Sequence, residues 1–129
     1  DYDRATELEP KQAFAYGNRA FVYMSKGEHD RALAEYSRAI ELDPRFANAY
    51  RGRAELNRKM GRLAESLADA EQALSLDPKN PFAHDTRAHI LAALGRRNEA
   101  IAEYKKALAI NPDLQESKDG LKALQSGKP

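Results

Sequence analysis

The sequence predicts an all-α fold, a solenoid of stacked antiparallel helix hairpins. Two observations support this prediction: several residue types recur every 34 positions, and helix-period segments alternate with short turns containing glycine or proline. The recurring sets are Pro10, Pro44, Pro78 and Pro112; Gly27, Gly61 and Gly95; Arg19, Arg53 and Arg87; Ala20, Ala54 and Ala88; Ala5, Ala39, Ala73 and Ala107; and Leu8, Leu42, Leu76 and Ile110. Because no single hairpin can bury its apolar face alone, neighbouring hairpins must stack on one another.

The elements follow from these positions in chain order. Each recurring glycine lies between two helical segments, where a helix ends in a left-handed residue that glycine adopts at low cost. Each recurring proline follows the second helix of a unit, because proline lacks the N–H and disfavours helical geometry in the preceding residue. Asn80 and Pro81 are typical of an N-cap and a first helical position. Helices are therefore expected near 13–26, 29–42, 47–60, 63–76, 81–94 and 97–110.

Small and large apolar residues have different roles in the predicted core. The alanines at positions 20, 54 and 88, with Ala32 and Ala100 across the hairpins, should let paired helices approach closely. Large side chains should fill the space around these contacts. They are Tyr16, Tyr23, Tyr36, Ile40, Tyr50, Leu74, Tyr104 and Leu108.

With these positions placed, the units resemble tetratricopeptide repeats. That pattern has an aromatic residue, a small residue four positions on, glycine at the turn, then alanine, an aromatic residue, alanine and proline. The first unit matches at Tyr16, Ala20, Tyr23, Gly27, Ala32, Tyr36, Ala39 and Pro44. The second matches at Tyr50, Ala54, Gly61, Ala73 and Pro78 but departs at Ser66 and Ala70, and the third has His84 in place of the first aromatic. The resemblance covers residues 13–114 and implies a right-handed superhelix with a concave groove lined by the first helix of each pair.

The repeat period also predicts how the chain is divided. Residues 1–10 align with 35–44, so we expect them to be the C-terminal half of a second helix from a truncated repeat, and the chain to be a fragment of a longer repeat protein. The complete repeats are expected at 11–46, 47–80 and 81–114. A capping helix is expected at 115–125 and a disordered tail at 126–129.

The resemblance implies which side chains line the groove. Carried over position by position, they are Phe14, Gly17, Phe21 and Met24 in the first repeat, Asn48, Arg51, Glu55 and Arg58 in the second, and Phe82, Asp85 and His89 in the third. Phe14, Phe21 and Met24 form a second apolar stripe on the first helix. This stripe is open to three interpretations: a ligand-contacting patch, local core, or a face left by truncation. Arg51, Arg58 and Lys59 form a basic run, partly neutralised by Glu55, that is either a solvated face or a binding surface for carboxylates.

One specialised binding mode can be tested on the sequence. Some relatives clamp the acidic C-terminus of heat-shock chaperones with lysine and asparagine in the first repeat, asparagine in the second, and lysine and arginine in the third. The corresponding residues here are Gly17, Phe21, Gly52, Phe82 and Thr86. Since none of them is the residue that the clamp requires, the sequence argues against a chaperone-tail clamp of that kind.

The recurring arginines have acidic partners at a constant offset of sixteen positions. The predicted pairs are Arg19 with Glu35, Arg53 with Asp69, and Arg87 with Glu103. Their recurrence in every unit favours a structural role across each hairpin. Exposed pairs of this kind contribute only ~0–1 kcal/mol.

Composition narrows the range of functions. The net charge is +1, with 32% charged and 42% hydrophobic residues, so the strongly basic face of a dedicated nucleic-acid binder is not expected. No apolar run is long enough to span a bilayer, and the absence of cysteine excludes disulfides and thiolate metal sites. His84 and His89 lie five positions apart, which is not a metal-ligand spacing on one helix face, and His84 occupies a packing position. We expect no cofactor, no metal and no enzymatic activity.

The sequence therefore favours a protein–protein interaction module, a scaffold or adaptor that binds a peptide or helix of a partner in its groove. Two alternatives stay open: a structural spacer or self-association segment whose exposed repeat ends stack on other copies, and an accessory domain of a larger enzyme.

Overall fold

The computed structural model describes the backbone of residues 2–126 and the side chains of residues 11–126. Across this part of the chain every regular element is an α-helix, as predicted. The helices are α1 (Tyr2–Ser25), α2 (His29–Leu42), α3 (Ala47–Lys59), α4 (Leu63–Leu76), α5 (Pro81–Ala93), α6 (Arg97–Ile110) and α7 (Gln115–Gln125). They pack pairwise as hairpins α1–α2, α3–α4 and α5–α6, and successive hairpins stack. Among the helices described, none has the length and apolar character needed to cross a membrane.

Glycine closes the first helix of each hairpin in the way that the sequence predicts. Gly27, Gly61 and Gly95 have φ of 80°, 79° and 80°. The residue after each glycine donates its N–H back across the turn, as from Glu28 to the Tyr23 carbonyl at 2.9 Å. This hydrogen bond is typical of a Schellman C-cap, so the three glycines mark equivalent bends.

Asx turns assist the ends of two second helices. The Asp43 carboxylate accepts the Arg45 N–H at 3.1 Å, and the Asn111 side chain accepts the Asp113 N–H at 3.1 Å. The predicted start of the first helix at residue 13 is wrong, because α1 begins at Tyr2 and continues through Pro10.

The alanine contacts lie where the sequence places them. Ala20, Ala54 and Ala88 are fully buried. Ser66 stands at an alanine position of the second repeat, and its hydroxyl donates to the Ala54 carbonyl at 2.6 Å. The departure from the repeat pattern is therefore accommodated, since the buried hydroxyl has an acceptor.

All three predicted ion pairs cross their hairpins. In the exposed pair, the Arg19 Nε donates to Glu35 at 2.8 Å. Arg53 makes two 2.9 Å hydrogen bonds to the buried carboxylate of Asp69, which also accepts from Asn57 at 3.2 Å. Arg87 donates to Glu103 at 2.9 Å. The middle pair is thus a bidentate interaction in a drier environment than the first.

Helix α7 covers the last hairpin. Leu114 at its N-cap and Ser117 within it are buried, while Lys118 and Lys122 are exposed. Lys122 stands at the position that Ala20, Ala54 and Ala88 occupy in α1, α3 and α5.

Candidate functional site

A cavity of about 230 Å³ opens between α1 and α3, which we call the α1–α3 pocket. Most of the groove residues that the sequence predicts for the first two repeats surround it: Phe14, Gly17, Phe21, Met24, Asn48, Arg51 and Glu55. Gly52, which corresponds to a clamp position, also lines the cavity, together with four residues that the sequence did not point to: Asn18, Tyr36, Phe46 and Ala49. The first helices of consecutive repeats therefore do bring their predicted groove positions together.

The apolar wall of the pocket consists of exposed aromatic side chains on a rigid helix. Phe14 and Phe21 are 58% and 59% exposed. The Phe14 ring stacks on Phe46 with centroids 6.3 Å apart. Gly17 leaves room for this arrangement, since a Cβ there would lie only 3.0 Å from the Phe46 ring. Large apolar side chains left in water on a concave surface are typical of a binding site.

Met24 differs from the two phenylalanines with which it was grouped. Its side chain is only 8% exposed, and it belongs to the core cluster of the first repeat. Within the second stripe, local core thus accounts for Met24, whereas Phe14 and Phe21 remain open to solvent.

Phe46 is a pocket residue that the sequence analysis did not identify. It lies at the N-cap position of α3, directly after the turn at Pro44. The equivalent positions in the next two units are Asn80 and Leu114. An aromatic residue at a cap, where polar side chains are favoured, was the available signal.

Tyr36 of α2 forms the floor and is 3% exposed. Burial raises the pKa of its phenol to about 12; the charge of Arg51 opposes this shift and that of Glu55 adds to it. The phenol is therefore neutral at physiological pH. The charged side chains that line the pocket, Arg51 and Glu55, both belong to α3.

The polar wall comes from α3. Arg58 forms an ion pair with Glu55, three positions earlier in the same helix. The Arg51 Nε is buried and has no hydrogen-bond partner among the described residues. Its guanidinium lies 5.9 Å from the centroid of the Phe82 ring, within the range of a cation–π contact. Asn48 is exposed at the rim.

The third repeat contributes less than expected to the same cavity. Phe82 is 46% exposed beside Arg51, but Asp85 is only 8% exposed. Asp85 accepts a 2.6 Å hydrogen bond from Ser117 of α7 and lies 3.2 Å from the His89 Nε2. The His89 Nδ1 is in turn 2.8 Å from the Tyr104 hydroxyl. Asp85 and His89 thus connect α5 to α6 and α7 and do not line the α1–α3 pocket.

His84 has a structural role, as its packing position predicts. Its Nδ1 contacts the Glu103 carboxylate, and its Nε2 lies 2.7 Å from the Pro78 carbonyl oxygen. Both ring nitrogens are therefore engaged within the protein.

Stacked helix hairpins with a groove along their first helices define a class of helical-repeat proteins. Three family models match the chain. One described as "Tetratricopeptide repeat" matches residues 47–80 and 81–114, another with the same description matches 1–34, and one described as "TPR repeat" matches 22–61. The chain belongs to the tetratricopeptide repeat family.

Solved structures of the same fold extend this comparison. The first such domain of Spaghetti (RPAP3), bound to the HSP90 peptide SRMEEVD, is 21% identical, with a TM-score of 0.87 over 92% of this chain and 94% of that one. The Arabidopsis OM64 domain is 23% identical, with a TM-score of 0.88 over 92% and 98%. The second domain of human RPAP3, in complex with the HSP70 peptide SGPTIEEVD, is 26% identical, with a TM-score of 0.84 over 91% and 98%. No curated protein gave a significant match to the sequence.

Proposed function

We propose that this chain is a protein-interaction module that binds an extended segment of a partner protein in its concave groove, with the α1–α3 pocket as the principal anchor. Tetratricopeptide repeats are interaction modules, and the proposal adds no catalytic step to that role. The observation that supports it most directly is the exposure of Phe14 and Phe21 around a cavity whose floor is the buried Tyr36.

The physical basis is the burial of aromatic surface on a preformed helix. A phenylalanine contributes on the order of 150–250 Å² of contact area, and two of them on one rigid helix lose little entropy on binding. A ligand that covers both rings should bind with about micromolar affinity, or about −8 kcal/mol. Asn48 at the rim is placed to hydrogen-bond the backbone of an extended ligand.

The ligand should differ from the acidic tails bound by the two RPAP3 domains. The clamp positions hold no cation here: Gly52 packs under Tyr36, and the Thr86 hydroxyl donates to the Phe82 carbonyl at 2.9 Å. Phe21 and Phe82 occupy two of the other clamp positions and present exposed aromatic surface there. We therefore propose an apolar-anchored segment as the ligand.

A selection from random displayed peptides tests the proposal without assuming a sequence. Retained peptides are synthesised, and their binding to the wild-type chain is measured by fluorescence polarisation. Phe21→Ser should weaken binding at least about tenfold, because it removes half of the apolar wall. Val22→Ser is the matched control, since Val22 is also on α1 and 48% exposed but does not line the pocket.

Two results would contradict this proposal. One is a selection that enriches no peptide, and the other is an equal loss of affinity in the Phe21 and Val22 variants. The tails SRMEEVD and SGPTIEEVD serve as a further comparison and should bind more weakly than the selected peptides. Strong binding of these tails would show that the missing clamp residues are not required.

Self-association through the same aromatic surface is a second candidate, favoured by the exposure of Phe14 and Phe21. It predicts a dimer that forms with increasing concentration and is lost in Phe14→Ser. Sedimentation equilibrium of the wild-type and variant chains distinguishes this candidate from a groove that stays open in a monomer.

A further inference from the structure

We infer that the α1–α3 pocket selects an internal peptide segment in which an aspartate or glutamate side chain lies one or two residues from a large apolar residue, with Arg51 binding the carboxylate. This inference rests on the proposed function, because it specifies the chemistry of the ligand that the groove holds.

The Arg51 side chain has an unsatisfied hydrogen-bond donor. Its Nε is buried, yet no described residue accepts a hydrogen bond from it. A buried donor without an acceptor costs free energy, and arginine is a charged donor. Because the Nε is not accessible in this rotamer, a ligand carboxylate relieves this cost when the Arg51 side chain turns towards it on binding.

The charges around the pocket are unbalanced. Glu55 is the one carboxylate that lines it, and Glu55 is already paired with Arg58. Tyr36 carries no charge near neutral pH. Among the described lining residues, Arg51 is therefore a cation without a compensating anion, and a carboxylate is its complementary partner.

The position of Arg51 between aromatic side chains indicates where the carboxylate lies along the ligand. Arg51 shares the pocket with Phe14 and Phe21, and its guanidinium also lies 5.9 Å from the Phe82 ring. The cation thus stands between aromatic surfaces on both sides. A ligand that contacts both surfaces must continue in both directions from its acidic residue, which favours a side-chain carboxylate in mid-segment over a chain terminus.

Spacing within the ligand follows from chain geometry. Consecutive residues of an extended peptide advance by about 3.3–3.6 Å. Phe21 and Arg51 line the same cavity of about 230 Å³. We expect two ligand side chains that enter one cavity to come from neighbouring residues, or from residues separated by a single one.

The experiment uses random peptides fused to the carrier protein at both ends, so that every selectable carboxylate is a side chain. Selection on the wild-type chain should enrich aspartate or glutamate next to a large apolar residue. Selection on Arg51→Gln should keep the apolar preference and lose the acidic one. Lys59→Gln is the matched control, because it makes the same change in net charge at an exposed position of α3 outside the pocket.

A capped synthetic peptide from the wild-type selection provides the quantitative test. Replacing its acidic residue by the corresponding amide should raise the Kd for the wild-type chain about tenfold, and should have little effect on binding to Arg51→Gln. Arg51→Lys keeps the charge and should retain part of the acidic preference, which covers the case that the glutamine variant folds poorly.

The possible failures are distinguishable. Peptides enriched in apolar residues without an acidic neighbour would overturn the inference and leave the proposed function standing. An acidic preference that persists in Arg51→Gln would also overturn the inference, because another residue would then bind the carboxylate. A selection that enriches nothing would overturn the proposed function and the inference together.

Discussion

The ring of Tyr36 lies directly against the backbone of Gly52, so closely that a Cβ at Gly52 would be 2.4 Å from the Tyr36 Cζ. Tyr104 packs in the same way against Gly120, with a corresponding distance of 2.4 Å. Both pairs join the second helix of a repeat to the helix that follows it. A tyrosine at this junction therefore requires glycine opposite.

The middle junction reverses the sizes of the two partners. The positions equivalent to Tyr36 and Gly52 are Ala70 and Thr86. Both residues are buried, at 1% and 5% exposure. A small residue on one helix is thus matched by a larger one on the other, which preserves packing density at each junction.

We predict that Gly52→Ala destabilises the chain. Alanine gains about 1 kcal/mol in helix propensity, but overpacking against a buried ring costs about 1–3 kcal/mol. Denaturant unfolding followed by far-ultraviolet circular dichroism should give a net loss. The double variant Tyr36→Ala with Gly52→Thr reproduces the middle junction, and it should lose less stability than the two single changes summed. Strict additivity would contradict the proposed size matching.

We predict that Gly61→Ala lowers stability through the backbone alone. Gly61 has φ of 79°, and a Cβ there would contact nothing within 4 Å. The cost should be that of a left-handed residue, about 1–2 kcal/mol. Gly61→Asn should cost less, because asparagine tolerates this conformation better than alanine. Thermal unfolding compares the two variants, and equal losses would argue against a backbone origin.

We predict that the ion pairs differ in strength with burial. Asp69→Asn should cost about 2 kcal/mol, because it weakens two charge-assisted hydrogen bonds from Arg53 and the contact with Asn57. Glu35→Gln should cost ~0–1 kcal/mol, since its partner Arg19 is 54% exposed. Denaturant unfolding at low and high salt measures both, and salt should reduce only the Glu35 effect. A larger loss for Glu35→Gln would contradict this ranking.

We predict a loss of stability at alkaline pH that comes from two buried tyrosines. Burial raises the pKa of both Tyr36 and Tyr104 to about 12, from 10.0 for an exposed phenol. Between these values the unfolded chain releases protons that the folded chain retains, so rising pH favours unfolding by about 1.4 kcal/mol per pH unit for each tyrosine. Below pH 10 this contribution to stability is fully present, and it is lost as pH rises towards 12.

The ultraviolet absorbance of tyrosinate, followed between pH 10 and pH 12, measures the titration of these phenols. Tyr36→Phe and Tyr104→Phe should each remove one late-titrating group and flatten the dependence of stability on pH. Tyr23→Phe is the control at a partly exposed position. A control variant that flattens the dependence equally would contradict the assignment to the buried pair.

The helix bends, the hairpin ion pairs and the second-helix boundaries could be predicted from the sequence because each depends on local chemistry that recurs. Gly61 bends the chain through its own φ, and Arg53 faces Asp69 because an offset of sixteen residues spans one hairpin turn. The start of α1 could not be predicted in this way. A proline follows the end of α2 at Pro44, whereas α1 continues through Pro10, so a proline at this repeat position does not by itself end a helix.

The candidate site likewise has features that could be predicted from the sequence and others that could not. The resemblance to tetratricopeptide repeats implied groove positions for Phe14, Phe21 and Arg51, because the register of the repeat can be read from the sequence. Only the tertiary structure decided that Met24 belongs to the core, that Phe46 stacks on Phe14, and that α7 engages Asp85 through Ser117. These outcomes depend on contacts between separate helices, and helical periodicity specifies the face of a residue but not the neighbour that covers it.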